Sequence, residues 1–311
     1  MMKNVKTGNK SIIEKIRLNK YLLLLFLPGM IVFLIFKYIP LFGLIMSFQD
    51  YNFVDGFFGS KFVGFQQFER LFSASGFIIA LKNTLKISSL NIIFGFPAPI
   101  LLALLLNEIR NLKFKKIVQT TSYLPHFFSW VVISGLLTTF LSPTNGIINK
   151  IIVALGGESI YFLADKNWFV PMLVISGIWK EIGWGSIVYL AALTSISSEL
   201  YEAAEVDGAN IFQKIFYVTI PSIRSTICVM FILKLGHILD GGFDQIFNMY
   251  NTAVYDVADI IDTYVYRMGI GGFEYSFSTA ASLFKSVVAA LMIIGGNYIV
   301  KKISDGESSI F

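Results

Sequence analysis

Charge is scarce in this chain. Asp, Glu, Lys and Arg make up 14% of its 311 residues, where soluble globular domains carry about 25%, so a fold with a fully solvated surface is excluded. Cysteine is nearly absent. Cys228 stands alone in an apolar run; it has no internal disulfide partner and makes no metal site by itself, so a buried filler is expected. Histidine occurs twice, as His126 and His237. No H-E-x-x-H, no cysteine pair and no Ser–His–Asp pattern occurs, so neither a catalytic nor a metal site is expected. The phosphate-cradling pattern G-x-x-x-x-G-K-[ST] is also missing, and Gly156-Gly157 is followed by Glu158 rather than Lys. This sequence therefore has no motif for hydrolysing ATP, and it needs no cofactor of its own.

What is present is apolar. Hydrophobic residues reach 55% and the mean hydropathy is +0.68, the composition of a polytopic membrane protein. Crossing a bilayer takes about 20 mostly apolar residues. Six such spans are read, at roughly 21–47, 83–106, 117–141, 168–195, 222–244 and 279–300. The first contains Lys37 and Pro40, so a kink or an interfacial turn is expected there. The fold class expected is all-α, a six-helix membrane bundle. Its parts are an N-terminal arm (1–20), a first span (21–47), an outer interfacial segment (48–82), a core of five helices (83–300) and a tail (301–311).

Orientation follows from Lys and Arg, which concentrate on the cytoplasmic side. Placing both termini inside puts 14 of them in cytoplasmic pieces and six in outer loops, Lys82 at the edge of the first included. The net charge of +5 is thereby accounted for by topology, and nucleic acid is not needed as a partner. The N-terminal arm has the basic start of a signal peptide but no small-residue cleavage site, so an uncleaved anchor is expected. The stretch "DYNFVDGFFGSKFVGFQQFERLF" (50–72) alternates Phe with polar residues and glycine. It is expected to lie along the outer interface or pack on the bundle.

The same orientation puts residues 196–221 in the cytoplasm, and they do not look like membrane sequence. Ser197 and Ser198 suit a helix start, with Glu199 and Glu202 where the helix dipole favours acid. Gly208 suits the C′ stop, and a second helix over about 210–219 carries Ile211, Phe212, Ile215 and Phe216. The unit is helix–Gly turn–helix. Ala203, Ala204 and Gly208 leave a smooth patch for close backbone approach. A helix lying on anionic lipid carries Lys and Arg on its polar face; Glu202, Glu205 and Asp207 here favour a protein partner.

"EAAEVDGANIFQKIFYVTIP" (202–221) resembles the EAA loop of the integral membrane subunits of binding-protein-dependent ABC importers. The family pattern is Glu-Ala-Ala, two residues, Asp-Gly-Ala, then a short helix ending in Ile-x-Leu-Pro. Glu202-Ala203-Ala204, Asp207-Gly208-Ala209 and Val218-Thr219-Ile220-Pro221 match it, with Val218 and Ile220 as departures. "NTLKIS" (83–88) is similar to the start of that family's core. "KYIPLFGLIMSFQDYN", "WKEIGWGSIVYLAAL" and "DTYVYRMGI" are similar to its carbohydrate-uptake branch, and within it to permeases for complex oligosaccharides such as pectin and uronate fragments. The resemblance implies that Glu202, Ala203, Ala204, Asp207, Gly208 and Pro221 belong to a coupling loop (197–221) that docks on a separate ATPase. It implies that ATP and Mg are bound there, not in this chain. It also implies a second permease chain, an ATPase dimer, an extracellular solute-binding lipoprotein, an oligosaccharide substrate and a bacterial cell membrane.

Ionisable residues inside spans mark candidate pathway positions. On the fifth span, Lys234, His237, Asp240 and Asp244 are spaced to fall along one helical stripe. They either line a cavity or pair internally, with Asp244 at the outer surface. On the fourth span, Trp179, Lys180, Glu181 and Trp184 lie near mid-depth. Lys180 and Glu181 are sequence neighbours and point about 100° apart, while indoles suit either sugar rings or packing. His126, after Pro125, is expected to be a satisfied structural residue. Two other functions remain open from these residues. An ion-coupled secondary transporter using Asp240 and Lys180 would show inverted repeats, and none is found. An enzyme acting on lipid-linked sugars would use clustered carboxylates; the Asp256, Asp259, Asp262 series is instead read as solvated surface charge.

Overall fold

A computed structural model describes residues 18–303; the N-terminal arm up to residue 17 and the tail from 304 lie outside the described residues. The helices, in order, are α1 (Lys20–Phe48), α2 (Gln66–Ser73), α3 (Ser75–Glu108), α4 (Leu112–Phe127), α5 (Trp130–Phe140), α6 (Ile147–Ala154), α7 (Lys166–Thr194), α8 (Ser198–Val206), α9 (Ile211–Ser222), α10 (Arg224–Gly236), α11 (Phe243–Met249), α12 (Ile261–Tyr266) and α13 (Tyr275–Ile303). A two-stranded antiparallel ribbon pairs β1 (Gln49–Asp50) with β2 (Lys61–Phe62).

Among the described residues, α1, α3 and α13 are long and apolar enough to cross a membrane unbroken. Two bent pairs, α4 with α5 (103°) and α9 with α10 (65°), raise the number to as many as five by length and composition. Six were expected. The difference is α7, whose 29 residues span about 43 Å but carry Lys180 and Glu181 in their middle.

Local chemistry explains the interruptions. Pro40 does not end α1; its missing N–H is absorbed by a π turn (Leu34–Tyr38) running into tighter 3₁₀ winding. The third span is not one rod: Pro125 sits in a 3₁₀ turn, and Ser129 starts α5 by accepting from the Val132 N–H. The fifth span stops at Gly236. His237 leaves helical geometry, and Gly242 takes a φ of +87° before α11 begins. The single helical stripe expected for Lys234, His237, Asp240 and Asp244 is thus broken into a helix end, a turn and a second helix.

The segment 245–278, expected as an outer loop, is wedged into the bundle rather than looped out. Ile246, Met249, Val254, Ala258 and Ile260 form one core with Ile87 on α3 and Phe169, Val170 and Leu173 on α7. Ile261, Tyr264 and Phe277 form another with Leu71, Phe77 and Ala80. Asn83 and Thr84 pin this insertion: Asn83 donates to the carbonyls of Asp256 and Asp259, and Thr84 Oγ1 accepts from the Ile261 N–H. Asp259 is not the solvated charge expected. It is buried and held by Thr263 and by Arg267, whose Nη2 lies 2.5 Å away, because a carboxylate among apolar neighbours persists only when paired. Cys228 is half-buried, not fully so.

The segment 50–72 packs on the bundle through α2. Leu71 is fully buried, and Arg70 makes a two-pronged contact with Glu274 just before α13 (2.8 and 2.9 Å). The Arg70 hydrogen bond holds the Glu274 carboxyl below its usual range. A depressed carboxylate contributes stability above its unfolded pKa and loses it as pH falls through the folded one. Glu274→Gln is therefore expected to cost less than about 1 kcal/mol at neutral pH. That difference should begin to shrink as pH falls below the ordinary glutamate range, about 4.3, and vanish only below the depressed folded-state value, as read by thermal unfolding in detergent at a series of pH values.

Candidate functional site

Two regions gather the residues singled out by sequence. The first is the elbow of α8 and α9. The Ser197 hydroxyl accepts from the Glu199 N–H (3.3 Å), as its position at the helix start demands. Gly208 ends α8 at φ +78°, a left-handed conformation that glycine adopts without strain. Asn210 and Gln213 then cap α9 reciprocally, at 3.0 and 2.8 Å. Lys214 on α9 reaches back to Glu205 on α8 (2.7 Å), and this contact lowers the Glu205 pKa. Tyr201 and Thr219 share a hydroxyl contact of 3.0 Å at the inner side of the elbow. The two arms are thus clamped to each other.

What the elbow presents outward is its chemistry. Glu202, Ala203, Asp207, Gly208 and Pro221 are exposed, and Ala204 is half-exposed. Among the described residues, nothing lies within 4 Å of a Cβ built on Gly208. Phe212 and Phe216 are 69% and 63% exposed, so they do not anchor the elbow to this chain's own bundle.

The second region is a groove of about 290 Å³ between α3, α7 and α10. Glu181, Trp184, Lys234 and His237 line it, with Phe96, Pro99 and Tyr189. Two glycines permit the packing. A Cβ on Gly183 would stand 2.0 Å from the Ser122 carbonyl oxygen, and one on Gly185 would stand 3.0 Å from Pro99. α7 therefore lies against α4 at a distance that only glycine allows, and tightly against α3.

The four residues of the fourth span diverge. Lys180 is buried, and its Nζ donates to the carbonyls of His126 (2.5 Å) and Phe128 (3.0 Å), the groups freed where α4 and α5 bend apart. It also lies 3.7 Å from Glu181. Glu181 accepts from His126 Nδ1 at 2.9 Å, and the His126 ring stacks flat on Trp184 with centroids 4.4 Å apart. His126 is satisfied, as expected, but by groove residues. Trp179 is 47% exposed and stands outside the groove. Past the helix end, His237 Nδ1 meets Asp240 (2.7 Å), and Asp240 also meets Lys285 on α13 (2.5 Å). Asp244, in the first turn of α11, is exposed. Lys285 is the residue that sequence reasoning missed. It carried a signal, a lone cation in an apolar span, but its partners Asp240 and Asp262 lie on other elements.

The profile of the family described as "Binding-protein-dependent transport system inner membrane component" matches residues 95–305. The chain belongs to this family. The permease is 48% identical over 300 residues to Protein LplB of Bacillus subtilis (strain 168), covering 96% of this chain and 94% of LplB. It is 44% identical over 306 residues to the polygalacturonan/rhamnogalacturonan transport system permease protein YteP of the same organism, covering 98% and 95%. Among solved structures it is similar, with a TM-score of 0.88, 44% identity and coverage of 94% and 99%, to a chain of a bacterial ABC transporter involved in the import of the acidic polysaccharide alginate. A second crystal structure, of bacterial alginate ABC transporter in complex with alginate pentasaccharide-bound periplasmic protein, gives a TM-score of 0.88 at 43% identity over 97% and 100% of the two chains.

Proposed function

We propose that this permease is one membrane chain of an ATP-driven importer of acidic oligosaccharides, and that its elbow is the handle gripped by a separate ATPase. The observation that carries the reading is the elbow itself. It is a clamped, rigid pair of helices whose acidic and small residues face outward around an open, left-handed Gly208, in a chain 44% identical to a permease named for polygalacturonan and rhamnogalacturonan.

In this reading both termini and the elbow are cytoplasmic, in line with the distribution of Lys and Arg. α7 is the sixth crossing, its buried Lys180 hydrogen-bonded to carbonyls and its Glu181 hydrogen-bonded to His126. Residues 83–300 form the core, preceded by the first span and the interfacial segment. A second, related permease completes the pathway. An ATPase dimer holds ATP and Mg, and an extracellular binding lipoprotein delivers the sugar. Closure of the ATPase dimer on ATP draws the docked elbows together. Because α8 and α9 are fastened by Lys214–Glu205, the pull passes to α10 as a rigid-body movement. The Trp184 groove sits against α10 and opens outward in response. There, indole and imidazole faces meet the apolar faces of sugar rings, while Lys234 and His237 meet hydroxyls and carboxylates. In this proposal Trp179, Lys180, Asp240 and Asp244 support the groove from its periphery.

The test is uptake of labelled tetragalacturonate into proteoliposomes holding the full complex. Accumulation is expected only with binding protein outside and ATP inside. Trp184→Ala should raise the apparent KM about tenfold, with Trp184→Phe recovering part of the loss. Accumulation driven by an ion gradient without the ATPase would overturn the reading.

A further inference from the structure

A second groove, of about 380 Å³, lies beside α12 and is lined by Phe243, Asp262, Tyr266, Tyr275, Ser278 and Thr279. We propose that it is a second saccharide site, which holds the part of a longer oligosaccharide that extends beyond the Trp184 groove. The inference rests on the reading of this chain as an oligosaccharide permease.

The lining has the two components that a sugar ring requires. The first is aromatic surface. Phe243 and Tyr266 stand 5.6 Å apart and are both joined by Phe247, at 5.1 Å from each. Tyr266 and Phe247 remain 41% and 39% exposed, so faces of this cluster are uncovered. Flat rings receive the apolar C–H face of a pyranose, and the tyrosine hydroxyls supply a polar edge. The second component is unspent hydrogen-bonding capacity. Thr279 Oγ1 donates to the Tyr275 carbonyl (2.7 Å) and Ser278 Oγ to the Val265 carbonyl (3.3 Å). Their protons are committed while their lone pairs stay open to sugar hydroxyls. Asp262 lies at 2.7 and 2.8 Å from Lys285, a pair that offers both an acceptor and a donor. The volume lies within the range of small-ligand pockets, about 300–1,000 Å³. A lipid chain would gain nothing from a carboxylate and two hydroxyls in its wall.

The groove is also wired to the first. Lys285 holds Asp262 on one side and Asp240 on the other, and Asp240 holds His237, which lines the Trp184 groove. One ammonium thus stands between the two sites. Tyr275 is shared with a wider groove bounded by Tyr51 and Phe273, so aromatic surface continues beyond the second groove. A chain of sugar units that passes the Lys285 ammonium meets aromatic faces in both of these grooves.

The proposal predicts selectivity by length. Uptake by the reconstituted complex is measured with digalacturonate and hexagalacturonate. Tyr266→Ala is expected to raise the KM for the hexamer by about three- to tenfold relative to that for the dimer. Thr279→Val, which keeps the side chain's shape, is expected to shift the ratio in the same direction. Trp184→Ala raises both KM values together. Equal shifts for dimer and hexamer in the Tyr266 and Thr279 variants would overturn the second site. So would unchanged KM values accompanied by loss of the co-purifying second permease, which would make the groove a subunit contact. A wild-type complex that imports neither oligomer overturns the oligosaccharide reading itself, and the site with it.

Discussion

Gly208→Ile is expected to silence the transporter while leaving this chain folded and inserted. Uptake and substrate-stimulated ATP hydrolysis should fall together, by about 30-fold or more, the scale of effect seen when a residue at the centre of an interface is disrupted. The argument turns on empty space. Among the described residues nothing lies within 4 Å of a Cβ at Gly208, so the side chain is added into open space. A steric conflict with a docked partner is the effect sought. Strain is the competing cause, because Gly208 has a φ of +78°, and a residue with a Cβ in that region loses about 1–2 kcal/mol. Two further variants separate the causes. Gly208→Asn tolerates the left-handed conformation yet still projects a side chain, and it should lose most of the coupling. Gly156→Ile meets equally open space at a φ of +88°, but in what is read as an outer loop, and it should transport normally. A fully active Gly208→Asn would mean that nothing approaches the elbow closely, and the docking of an ATPase there would be refuted.

The second large effect concerns assembly rather than coupling. Gly183→Ala is expected to destabilise the chain by more than about 3 kcal/mol, beyond the ordinary range for overpacking. The added carbon would meet backbone, not a side chain that turns aside. The Ser122 carbonyl oxygen and carbon would lie 2.0 and 2.3 Å away, and the Tyr123 nitrogen 2.8 Å away. Relief requires moving α4 from α7, which also stretches the Lys180 contacts to His126 and Phe128. The measurement is thermal unfolding of the purified chain in detergent, with a drop of about 6–10 °C expected. Gly135→Ala on α5 is the control, since nothing lies within 4 Å of its added carbon, and there the helix should be slightly firmer. A Gly183→Ala protein as stable as wild type would show that α4 and α7 do not approach as described.

Lys180 and Glu181 show where reading from the chain alone stops. Their helical offset kept them from being taken as a simple pair, and the structure places them 3.7 Å apart while giving each a stronger partner elsewhere. The His126–Glu181 contact joins residues 55 positions apart. The fifth-span stripe failed for a related reason. Helical spacing places Lys234, His237 and Asp240 on one face only if the helix continues, and Gly236, Gly241 and Gly242 supply the freedom to turn that the period does not register.

The sequence by itself determined the apolar spans and the helix–glycine–helix of the elbow with its Ser197 start and Gly208 stop. Through 202–221 it also pointed to the family. Each of these follows from hydropathy, capping or a short motif, all of which act over a few neighbouring residues. Only the tertiary structure decided that Asp259 is buried on Arg267, that Lys285 joins Asp240 to Asp262, and that Trp184 lies under His126. A buried charge or ring is stabilised by whatever the packing brings opposite it, and that choice is made across the bundle, between helices far apart in the chain.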